Sequence, residues 1–155
     1  VTGLTVEDVD VSGPFPNLRV TWNENRRLKT ETSRRHVPLV GDALEAAKEA
    51  LKLAKGSTML FPEYGRDRGG DAASAALMRQ VRKVTTDDKH VVHSLRHNMK
   101  DRLMLAEVAS LDQNLILGHA LGGVGDRVYG GDAAKLRVTT RAMRRAFGLS
   151  ETTED

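Results

Sequence analysis

A chain of 155 residues, 39% apolar and 29% charged, with no apolar run long enough to cross a bilayer, reads as one soluble globular domain able to bury a sizeable core. The absence of cysteine excludes a disulfide framework and a thiolate zinc site and fits a reducing compartment; residues 1–10 hold three acids and no base, unlike a signal peptide. The net charge is only +3, yet basic residues cluster at Arg26, Arg27 and Lys29, at Arg34 and Arg35, at Arg79, Arg82 and Lys83, and at Arg137, Arg141, Arg144 and Arg145, a distribution that suits a polyanion.

Residues 18–22 alternate apolar and polar side chains and run into Asn23-Glu24-Asn25, which predicts a strand entering a turn, with 35–39 as its antiparallel partner. Lys29 then falls near the tip of a small sheet. Asp42 is positioned to cap a helix carrying Leu44, Ala47, Leu51 and Ala54 and closed by Gly56. After Met59-Leu60-Phe61-Pro62 comes a polar, glycine-rich loop, Gly65-Arg66-Asp67-Arg68-Gly69-Gly70, and Asp71 is the expected cap of a second helix reaching about 84, with Ala73, Ala76, Leu77, Val81 and Val84 near one face. A third helix is predicted from about Ser94 to 108, burying Leu95, Met99, Leu103 and Ala106. A short one ends at Gly118, Gly122-Gly123-Val124-Gly125 forms a flexible connection, and a last amphipathic helix over about 133–147 carries Leu136, Met143 and Phe147. Residues 150–155 read as a disordered tail.

Within that framework His93-Ser94-Leu95-Arg96 precedes Leu117-Gly118-His119 and Tyr129. A guanidinium and two imidazoles can hold the oxygens of a phosphodiester while a phenolic hydroxyl attacks phosphorus, with no call for a metal ligand or a nucleotide-binding loop. Residues three apart share a helix face, so His93 and Arg96 can point at one object.

These motifs, with Lys29-Thr30, Arg34-Arg35 and Val37-Pro38-Leu39 upstream, occur in the order found in the tyrosine recombinases, the phage integrase family, which the chain resembles from about residue 4 to 147. The resemblance implies an α+β catalytic domain over 1–149, mainly helical with a small antiparallel β-sheet, that recombines DNA at specific sites through a 3′-phosphotyrosyl intermediate. It implies Tyr129 as nucleophile, Arg96 and His119 on the scissile phosphate, His93 as proton acceptor or organiser of Tyr129, and Lys29 as the acid that protonates the departing 5′-oxygen. Arg34, Arg35, Arg66, Arg68 and His97 are the expected DNA contacts. No cofactor is required, because the phosphotyrosine conserves the bond energy. Double-stranded DNA is the implied partner, bound by four protomers in a synapse, with accessory DNA-bending proteins, no membrane, a monomeric free chain and a cytoplasmic setting, in a bacterial nucleoid or a phage-infected cell.

One departure concerns the family's first catalytic arginine. Leu4 and Asp8 match a segment that follows this arginine, which places it a few positions before Val1 and predicts an N-terminally truncated catalytic domain. Loss of one oxyanion donor costs on the order of 10²- to 10³-fold in rate, so poor activity is expected. Three other readings stand beside this one: a non-cutting DNA-binding relative, a type IB topoisomerase-like enzyme, and a metal-binding protein built on His90, His93 and His97, whose spacing of three and four residues suits zinc.

Overall fold

The computed structural model describes residues 2–24, 33–119 and 130–150. Among these the chain is mixed α+β and mainly helical, with five α-helices and one small antiparallel sheet. A single 3-10 turn, Val6–Asp8, leads into β1 (Val9–Asp10), followed by β2 (Asn17–Val20), β3 (Arg35–Pro38), α1 (Asp42–Leu53), α2 (Gly69–Val84), α3 (Ser94–Leu105), α4 (Ser110–Leu117) and α5 (Asp132–Ala146). No helix among the described residues is long and apolar enough to cross a membrane.

The sheet order is β1-β2-β3. The expected antiparallel pair forms over 17–20 and 35–38, with Leu18 opposite Val37 and Val20 opposite Arg35, stopping short of residues 21–22 and 39, and β1 adds an edge strand that the sequence pattern does not mark. Asn17 is buried at the head of β2; its Nδ2 donates to Phe15 O (3.0 Å) and its Oδ1 pairs with His36 Nδ1 (2.9 Å), so the buried amide has partners on both sides. The N-terminal segment is knitted to the chain after α1 by Val6 N–H to Thr58 O (3.0 Å) and Leu60 N–H to Leu4 O (2.9 Å).

The core is the junction of α3, α4 and α5, with α4 and α5 laid against β3. Val40, Leu103, Val108, Ile116, Leu117, Ala142 and Met143 fill it, and Leu103 has no exposed surface at all. Full burial of such side chains is worth roughly 1.5–3 kcal/mol each, which fixes the relative position of the three helices that carry the chemistry discussed below.

Several sequence expectations need correction. Asp42 is the first residue of α1 rather than its cap, and Gly41 occupies the cap position at φ +52°, beneath the Leu149 side chain. Helix α2 starts at Gly69, two residues before Asp71. A Cβ at Gly69 would lie 1.9 Å from Tyr64 O, and Arg68 ahead of it takes a left-handed conformation, so the glycine loop turns directly into the helix. Leu95 (59% exposed), Leu77 and Val84 (88%) lie in solvent instead of in the core. Phe147 is also partly exposed, with the Arg102 guanidinium 5.3 Å above its ring.

Candidate active site

The site is organised by the way α4 ends. Gly118 takes φ +69°, ψ +38°, and both its N–H and that of His119 turn back to Asn114 O, at 2.8 and 3.0 Å. This is the left-handed termination that glycine permits without a Cβ penalty. The last carbonyls of α4 have no further helical turn to receive them, and they carry the partial negative charge of a helix C-terminus. Two arginines meet that need. Arg35, the first residue of β3, donates from Nε to Ile116 O (3.2 Å) and from Nη1 to Ser33 O (2.8 Å). Arg96, in the first turn of α3, donates from Nη2 to Leu117 O (2.6 Å).

Consecutive carbonyls therefore hold two guanidiniums from different elements side by side. The proximity has an electrostatic signature. Burial, and next the charge of Arg96, press the Arg35 pKa below its ordinary value, although a guanidinium remains charged at any working pH. His119 is pulled below the usual imidazole value, first by partial loss of water and then by the cations Arg96, Lys100 and Arg35. Among the described residues no carboxylate forms an ion pair with any of these four groups. An uncompensated positive centre of this kind favours an oxyanion.

Lys100 was not singled out by sequence, but its position one helical turn after Arg96 on α3 is the signal that would have found it. His93 and His97 project from the N-terminal turns of the same helix, both exposed, with ring centroids 5.2 Å apart and the planes at 78°. The backbone N–H of Arg96 donates to His93 O (3.0 Å), but the His93 ring makes no hydrogen bond to the Arg96 or His119 side chain among the described residues; its ring partner is His97. The connection into α3 is held by Arg82, whose Nη1 donates to Asp87 O (3.0 Å) and His90 O (2.9 Å), with Thr85 Oγ1 and His90 Nδ1 2.9 Å apart.

Of the expected DNA contacts, Arg34 is exposed beside this centre, whereas Arg35 is half-buried and spends part of its fork on backbone carbonyls. Arg66 and Arg68 line a different, polar cavity near Tyr64 and Gly70. Arg66 Nε donates to Glu63 O (3.0 Å), and Arg68 Nε lies 3.6 Å from Asp71. Lys29 and Tyr129 lie outside the described residues; Gly130 and Gly131, which follow Tyr129, lead into α5. As for metals, no group of three or more His, Cys, Asp or Glu among the described residues is placed to hold an ion.

Comparison of the chain with protein-family models, curated proteins and solved structures finds no match.

Proposed function

We propose that this chain is the catalytic domain of a tyrosine recombinase-like DNA strand transferase, with the fold of that family. The observation that carries the reading is the bond from Arg96 Nη2 to Leu117 O. It ties the His-x-x-Arg motif to the Leu-Gly-His motif, 21 residues apart in sequence, and sets Arg96 beside His119 at a centre rich in positive charge.

In this reading Arg96 and His119 bind the non-bridging oxygens of a DNA phosphodiester, where hydrogen bonds to charged groups are strongest. Tyr129 Oη attacks phosphorus as its proton passes to His93, since a phenol with a pKa of about 10 needs an acceptor at neutral pH. The P–O5′ bond breaks, the departing 5′-oxygen takes a proton from Lys29, and a 3′-phosphotyrosyl bond replaces the one lost. Rejoining reverses the sequence: a 5′-hydroxyl attacks phosphorus and Tyr129 leaves. Each step exchanges one phosphodiester for another, so no energy source is consumed. Duplex DNA is the partner, and exchange of strands between two duplexes requires a multimer of protomers on DNA.

The test is to incubate the chain with a library of nicked duplexes and resolve the products on a denaturing gel, with Tyr129→Phe alongside. A slowly accumulating covalent protein–DNA band, absent from the Phe variant, is expected. Salt-sensitive duplex binding with no such band in either protein would replace strand transfer with the non-cutting DNA-binding reading.

A further inference from the structure

A cavity of about 160 Å³ opens between β3, the glycine corner of α4 and the first turns of α5, on a wall of the site that does not include Arg96. Among the described residues of its lining, Arg34, Arg35 and Lys135 supply three cations, His36 and His119 add two imidazoles, and Asp132 is the only carboxylate. Asp132 does not neutralise its neighbour: Lys135 sits three residues further along the helix, and the two form no ion pair among the described residues. Arg35 commits Nε and Nη1 to carbonyls, and its Nη2 has no hydrogen bond among the described residues. A side chain at position 118 would run into the Arg35 guanidinium, so Gly118 keeps this corner open. Both walls are braced: on α5 Thr139 returns its hydroxyl to Lys135 O (2.7 Å), and on β3 His36 pairs with Asn17.

We propose that this cavity is an oxyanion pocket that binds a phosphate-sized anion through Arg35, Lys135 and Arg34, separately from the grip of Arg96 on a scissile phosphate. Size limits the ligand as firmly as charge does. Pockets for nucleotide- or drug-sized ligands run to about 300–1,000 Å³, whereas this one suits a single tetrahedral oxyanion with a few waters. The pocket requires neither Tyr129 nor strand cleavage, and it is filled either by free phosphate or by a backbone phosphate of bound nucleic acid.

The five histidines provide site-resolved probes. Inorganic phosphate is titrated into the whole chain at constant pH and ionic strength while the imidazole Cε1–H resonances are followed by NMR. His36 and His119 are expected to shift together and saturate, with His90 unmoved. Lys135→Gln and Arg34→Gln should each weaken phosphate about tenfold, as expected for loss of one charged hydrogen bond, without altering the thermal midpoint beyond about 2 °C. A short duplex that displaces phosphate identifies the backbone of nucleic acid as the source; a duplex that binds without displacing it identifies free phosphate. Absence of a saturable His36 shift, or equal phosphate affinity in wild type and Lys135→Gln, overturns the pocket. Shifts confined to His119 and His93 would put the ion on Arg96 instead, overturning the pocket and leaving the strand-transfer reading intact.

Discussion

Gly118→Ala tests how the arginine pair is held. The substitution acts twice. The alanine must adopt φ +69°, and its Cβ would lie 2.6 Å from Arg35 Nη1 and 2.8 Å from Cζ. A guanidinium can swing away, so the second cost is the bond it surrenders, from Nε to Ile116 O. The left-handed backbone costs about 1–2 kcal/mol and a lost charged hydrogen bond about 1.5–3 kcal/mol, roughly 3–4 kcal/mol together. For a chain of this size that lowers the thermal midpoint by roughly 10 °C. The control is Gly148→Ala, where φ is +64° and no atom lies within 4 Å of the new Cβ, so only the backbone cost of about 1–2 kcal/mol applies. Urea unfolding of both variants, repeated in an Arg35→Met background, separates the two terms. The excess cost of Gly118→Ala over Gly148→Ala should vanish when Arg35 is gone. Equal costs in the Arg35 protein would refute the claim that Gly118 exists to admit the guanidinium.

His119 makes stability pH-dependent in a stated direction. Its folded pKa lies below the unfolded value of about 6.5, so the unfolded chain binds more protons, and stability falls as pH drops from that value toward the folded pKa. Above it the contribution is constant; His119→Asn should flatten this part of a urea-denaturation pH profile, and an unchanged slope would count against the electrostatic picture. Leu103→Ala, at a position with no exposed surface, should cost about 2–5 kcal/mol in the same assay. Asn17→Ala strands Phe15 O and the His36 ring and should cost about 1–3 kcal/mol, with a shift of the His36 resonances in NMR spectra. If Arg34 meets a DNA phosphate, Arg34→Ala should reduce the slope of log K against log salt by about one in a duplex-binding titration; an unchanged slope removes it from the interface.

Periodicity and glycine placement made most of the architecture legible, since a two-residue alternation at 18–22 and an apolar repeat through Met99, Leu103 and Ala106 are local signals of strand and helix. The same signal misled at Leu95 and Val84: spacing shows which residues share a helix face, and it is silent on whether another element covers that face. The start of α2 was hidden for a related reason, because the need for glycine at 69 comes from Tyr64 O, a backbone atom five residues upstream.

The site divides along the same line. His93, Arg96 and His119 are conspicuous as residue types in a known order, yet nothing in their identity says what holds them. Arg96 is held by the Leu117 carbonyl and Arg35 beside it by the Ile116 carbonyl, and a carbonyl is present at every position, so it leaves no mark in a sequence. What makes these two special is the helix end, set by one left-handed glycine, and the distance between β3 and α3, set by a core centred on Leu103. Arg35 illustrates the consequence. By sequence it was one of several basic residues suited to DNA; by position it is a half-buried cation locked beside Arg96, and its charge is felt at His119. A neutral replacement at Arg35 should therefore raise the His119 pKa even in the absence of any ligand, an effect no exposed DNA-contact arginine would produce, and an NMR pH titration of Arg35→Gln that left His119 unmoved would dissolve the cationic centre as a unit.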